Sequence, residues 1–188
     1  MKKIYFLVLA FFSSLLFTNS YAQSFRGLDE APHDIVYLRE SQAVMPLVKV
    51  LYGRPKKAEG MVFGEQVPYG KIWRTGADEA TEIRFYKAVQ FGDVKVPAGT
   101  YVLYTIPGAD EWEVILNSKL DVLGAFQYDP VFDVAHIRVP VSKAEVLENF
   151  SIAFKDKGIT DNMVLGWGST RVSIPLVFEA PAALANQF

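Results

Sequence analysis

Beyond its first two dozen residues the chain has no long helical pattern of apolar positions; short alternating runs are broken by Gly, Pro, Asn and Asp. In TEIRFYKAV, Thr81, Ile83 and Phe85 share one face while Glu82, Arg84 and Lys87 fall mostly on the other, the signature of a half-buried strand. GTYVLYTIPG and DEWEVILNS follow, the second alternating Trp112, Val114 and Leu116 with Glu113, Ile115 and Asn117, and PGADEW between them supplies hairpin chemistry. Later runs are DVAHIRVPV, ENFSIAFKD (Phe150, Ile152 and Phe154 on one face), NMVLGWG and TRVSIPLVFE. With the earlier PLVKVLYGRP they make at least seven strands.

Many short strands with regular turns predict an all-β fold: a single antiparallel β-sandwich, or a barrel-like variant of it, with little helix. A parallel sheet would need crossover helices, and the pattern offers none. Ser118 to Phe132 reads as a short helix or irregular loop, and SKAEVLEN as one or two helical turns.

The N-terminus changes the picture of where this domain works. MKKIYFLVLAFFSSLLFTNSYAQS carries Lys2 and Lys3, an apolar run from Ile4 to Phe17, and the small residues Ser20 and Ala22 before Gln23, the layout of a secretory signal peptide. The run falls short of the roughly 18 to 20 residues that span a bilayer, and no Cys follows it for lipid attachment. The expectation is a periplasmic or secreted protein without a transmembrane anchor, divided into a signal peptide (1–22), an N-terminal extension (23–44), the β-domain (45–178) and a C-terminal tail (179–188). Removing 22 of 188 residues leaves 166, enough for one real core.

Composition then excludes several chemistries. Without the signal's two lysines the chain holds 17 basic and 21 acidic residues, and it has no concentrated basic patch of the kind nucleic acid requires. There is no Cys, so disulfides, thiol catalysis and thiolate metal sites are excluded, and stability falls to packing by 14 Phe, 9 Tyr and 3 Trp. His33 and His136 are too far apart in sequence for a paired-imidazole zinc motif, so no metal and no cofactor are expected. GWGST (166–170) is not a nucleophile elbow, because it lacks the G-x-S-x-G pattern and precedes a strand.

Paired carboxylates remain, Asp78 with Glu79 and Asp110 with Glu111. Adjacent residues on a strand point to opposite faces, so either pair converges only in a turn. Asp110 and Glu111 read as a solvated hairpin. Asp78 and Glu79 sit in YGKIWRTGADEAT (69–81), where Arg74 can hold a carboxylate in a forked pair and Tyr69 and Trp73 can wall a pocket. The candidate ligand-binding residues are Tyr69, Trp73, Arg74, Asp78, Glu79 and Trp112, with the aromatic members as stacking surfaces.

VPYGKIWRTGADEAT, VPAGTYVLYTIPG, EWEVILN and VLGWGSTRVSIP, with LYGRP upstream, resemble a family of exported bacterial proteins of the Bacteroidetes type, domain of unknown function 2911, over roughly residues 45 to 178. The resemblance implies a single exported β-rich domain and brings no activity, substrate or cofactor with it. Asp78 stands where the family usually has Asn, Gly168 where an acidic residue is usual, and His136 where Arg is more frequent. The readings that follow are a structural or interaction protein of the cell envelope; a binding module for a small polar or saccharide-like ligand at the loops around Trp73 to Glu79; and, least favoured, a hydrolase using Asp78 or Glu79. In the structural reading Arg74 pairs with Asp78 or Glu79, Gly76 supplies a positive φ, and Trp73 packs in the core.

Overall fold

The alternation forms strands because each run can bury one face only. The computed structural model describes residues 31–41, 43–156 and 161–178. Its strands are β1 (His33–Leu38), β2 (Val48–Gly53), β3 (Glu82–Phe85), β4 (Val89–Phe91), β5 (Val94–Val96), β6 (Gly99–Ile106), β7 (Glu111–Asn117), β8 (Asp133–Asp156) and β9 (Asp161–Phe178). All neighbours pair antiparallel in the order β1-β2-β3-β6-β7-β8-β9-β4-β5. The all-β antiparallel fold is therefore present, as one nine-stranded sheet; the barrel-like variant is not, because β1 and β5 end an open order. The expected signal peptide and C-terminal tail lie outside the described residues. β1 falls within the stretch 23–44, for which the sequence predicted no strand.

The sheet folds over on itself at β8. Val48, Val50 and Tyr52 of β2, Ile83 and Phe85 of β3, and Trp112, Val114 and Leu116 of β7 share one core with Phe150 and Ile152 of β8, Leu165 and Ile174 of β9, and Phe91 of β4. Aromatic edges cross between the layers, Tyr52 to Phe150 with ring centres 5.7 Å apart and Phe85 to Phe91 at 6.2 Å. Each buried aliphatic side chain contributes about 1.5–3 kcal/mol relative to exposure, which is how a domain without disulfides holds together. The buried Tyr52 hydroxyl stitches the layers by accepting from the Ile152 N–H at 3.0 Å. Ala80, Val102, Tyr104, Ile115 and Val122 form a smaller cluster, covered by the 118–132 connection, which holds two short 3-10 turns.

SKAEVLEN departs from expectation: it is strand, part of β8. Lys143 faces Thr170, Leu147 faces Gly168 and Ser151 faces Gly166, so β8 twice takes four steps for two of β9. The polar run lacks an apolar stripe to dock a helix, and pairing with β9 overrides its local propensity. Arg171 fastens this bulged corner. Its guanidinium donates to the Gly168 and Thr170 carbonyls at 2.9 and 2.8 Å and to that of Glu145. Gly166 leaves it room, since a Cβ there would lie 2.7 Å from Arg171 Cδ. Burial pushes the Arg171 pKa down from its ordinary value.

Candidate functional site

YGKIWRTGADEAT turns the chain from β2 toward β3, and most of its hydrogen-bonding capacity is used doing so. Trp73 pairs with Thr105 of β6 as an isolated bridge, N–H to carbonyl at 2.7 and 3.0 Å. Thr75, Thr81 and Thr105 are fully buried. The Thr75 and Thr105 hydroxyls lie 3.0 Å apart, and the Thr81 hydroxyl donates to the Thr75 carbonyl at 2.8 Å. Buried hydroxyls without such partners would each cost about 1–3 kcal/mol.

The turn's backbone corrects one detail of the structural reading. Positive φ falls on Thr75 (57°) and Asp78 (60°), not on Gly76. Gly76 is needed for close approach instead: a Cβ there would lie 3.1 Å from the Gly53 carbonyl oxygen, and one on Gly53 would lie 2.2 Å from that of Ala77. The two glycines let the turn press against the end of β2.

The six candidate residues do not converge. Trp73 donates from Nε1 to the Gly76 carbonyl at 3.1 Å, and its ring packs among Phe63, Trp112, Phe150 and Trp167. Trp112 is 2 % exposed, so its ring has no face for a ligand. Tyr69 is exposed and lines a separate recess with Lys57, Lys143 and Thr170. Asp78 lies on the surface. Glu79 does not reach Arg74; its carboxylate sits 3.1 Å from His33 Nε2 of β1. The expected Arg74 pairing with Asp78 or Glu79 is absent, and Arg74 is half-buried without a side-chain hydrogen bond or ion pair to any described residue.

A larger concave surface lies elsewhere, where β8 and β9 part. β8 pairs with β7 from Asp133 to Pro140 and with β9 only from Val141, opposite Val172. The Val141 N–H donates to the Asp110 carbonyl at 2.8 Å. By alternation the backbone of Pro140 faces β9, where proline has no N–H to offer. The Pro175 carbonyl of β9 is taken by the Gly92 N–H at 2.9 Å, and from Leu176 onward β9 pairs with β4. β8 and β9 thus turn to different partners, and a cleft of about 990 Å³ opens between them, lined by Asp93, Glu113, His136, Arg138, Asn162 and Ser173 with Ile137, Val139 and the two prolines.

Its polar centre is Glu113. The carboxylate accepts from His136 Nε2 through one oxygen and from Arg138 Nη2 at 3.4 Å through the other. Arg138 also donates to Glu111 at 3.3 Å. On the opposite wall the Ser173 hydroxyl bonds Asn162 Oδ1 at 3.2 Å. The cleft thus presents acceptors, donors and two side chains that can do both, between apolar walls. The sequence did not join His136 and Arg138 to Glu113, because register between strands is not written in either strand alone. The signal that could have found the cleft is the pair of prolines in IRVPV and SIPLV, each interrupting a strand run. Among the described residues no group of three or more His, Asp or Glu side chains is placed to hold a metal ion.

A family described as "Protein of unknown function (DUF2911)" matches residues 39–176. No curated protein and no solved structure matches the chain.

Proposed function

The chain belongs to the DUF2911 family, a premise that names no chemistry, and from it we propose an exported binding module of the cell envelope that holds a small polar or saccharide-like ligand. The seat is the β8–β9 cleft. One observation carries this reading: a concavity of about 990 Å³, at the upper end of the range for small-ligand sites, whose polar groups cluster around one oriented carboxylate. Export is supported by the sequence of residues 1–22. A polyhydroxylated ligand needs donors and acceptors side by side, and Asp93, Glu113, His136, Arg138 and Ser173 supply both. A thermal-shift screen of mono- and oligosaccharides, peptidoglycan fragments and polar metabolites tests it. A hit is expected to lose its shift in Glu113→Ala and Arg138→Ala; a screen without any shift, or a shift indifferent to both variants, overturns the assignment.

The structural or interaction reading draws on a different observation, the buried threonine network that makes residues 73–81 architecture. It applies to that loop and leaves the cleft free to bind. Hydrolysis by Asp78 or Glu79 is favoured least, because Asp78 is on the open surface and Glu79 is drawn to His33. Hydrolysis of glycosides, esters or peptides that Glu79→Gln abolishes would restore it.

A further inference from the structure

Arg74 was the residue the sequence expected to be consumed by its own loop, and it is not. Its backbone is fixed, because its carbonyl accepts from the Thr81 N–H at 3.1 Å and the flanking Trp73 is bridged to Thr105. Arg74 lines a small pocket of about 180 Å³ with Lys71, Gln66, Val67, Ile72 and Ala125. Neither Arg74 nor Lys71 has a side-chain hydrogen bond or ion pair with a described residue. The pocket lining contains two cations and no carboxylate. The Gln66 amide is turned to other partners, its Oε1 accepting from the Ala58 N–H at 3.0 Å and its Nε2 donating to the Lys56 carbonyl at 3.2 Å. Gly124 gives the guanidinium its space: a Cβ there would lie 3.1 Å from Arg74 Nη1.

A half-buried guanidinium has given up part of its hydration, and here no acceptor among the described residues replaces it. Its planar fork matches a two-oxygen anion, and the apolar walls strengthen the attraction by lowering the local dielectric. We propose that the Arg74–Lys71 pocket is an oxyanion site for the carboxylate or phosphate group of a small molecule, separate from the β8–β9 cleft and sharing no residue with it. Arg74 makes the forked contact and Lys71 adds a mobile second charge from the rim.

The test is titration of the mature protein with sodium phosphate and, separately, sodium acetate, each against sodium chloride at matched ionic strength, read by Trp fluorescence because Trp73 lines the pocket. Saturable binding of at least one oxyanion above the chloride control is expected; phosphate alone points to a phosphate-bearing ligand, acetate alone to a carboxylate, and both to the shared oxyanion chemistry. Arg74→Gln should weaken binding about tenfold or more. Lys71→Gln, on the exposed rim where folding does not depend on it, should weaken binding by about threefold with an unchanged melting temperature. No saturable response to either anion, or curves unaltered in a folded Arg74→Gln protein and in Lys71→Gln, would overturn the proposal. The cleft reading would stand either way.

Discussion

The loop from Tyr69 to Thr81 and the cleft between β8 and β9 draw on similar residue types and use them in opposite ways. In the loop Thr75 and Thr81 are fully buried, the Thr75 hydroxyl bonded to that of Thr105 in β6 and the Thr81 hydroxyl to the Thr75 carbonyl. In the cleft Glu113, His136 and Arg138 bond one another while remaining open to solvent, with side-chain exposures of 29, 45 and 66 %. Polar residues locked in a low-dielectric interior fix a conformation; polar residues held together at the surface keep capacity for a third party. A sequence dense in Arg, Asp, Glu and aromatics is therefore weak grounds for choosing a binding surface until burial is known.

The contrast breaks first at the loop. Gly53→Ala would place a Cβ 2.2 Å from the Ala77 carbonyl oxygen, backbone against backbone, so neither atom can step aside cheaply. A loss of about 3 kcal/mol is expected in urea unfolding; a change under about 1 kcal/mol would mean that the turn does not rest on β2 as described. Thr75→Val follows. It keeps the shape and removes the hydroxyl that faces Thr105, so about 1–3 kcal/mol should be lost. Ligand affinity at the cleft should not change, and a variant of native stability would remove the case for the loop as architecture.

These two positions also show what could be read in advance. The strand β3 was legible because Ile83 and Phe85 alternate with Glu82 and Arg84, and burial follows that alternation. The hairpin from β6 to β7 was legible from its turn residues. Gly53 was not, since its role depends on a carbonyl 24 residues later in the chain, at Ala77. β8 was misread at SKAEVLEN because bulges belong to a pair of strands, and the partner of Leu147 is Gly168. That Arg74 and Glu79 do not pair was not legible, because the sequence could not show that Glu79 lies beside His33.

At the cleft the expected effects on stability are smaller. Glu113→Ala removes partly exposed ion pairs, which contribute little once screened by water and salt, so unfolding should shift by no more than about 1 kcal/mol. Affinity for a ligand from the saccharide and metabolite screen should fall about tenfold or more, because the carboxylate is the centre of the polar set. Thr75→Val and Glu113→Ala thus separate stability from binding in opposite directions. If Glu113→Ala cost several kcal/mol and left binding intact, the two regions would have exchanged roles.

The smallest effect belongs to Asp78. An exposed residue at φ 60° occupies the left-handed region, where a Cβ is unfavourable, and Asp tolerates it better than most side chains. Asn shares that tolerance and Gly removes the penalty. An Asn at this place would suit the same backbone conformation without any donated hydrogen bond. Asp78→Gly should stabilise the fold by about 0.5 kcal/mol, the relief of strain being partly offset by a more flexible unfolded chain, and Asp78→Asn should be close to neutral. Both should leave ligand binding unchanged. Destabilisation by more than about 1 kcal/mol in both variants would show that the carboxylate, and not the turn it sits on, is what the loop requires.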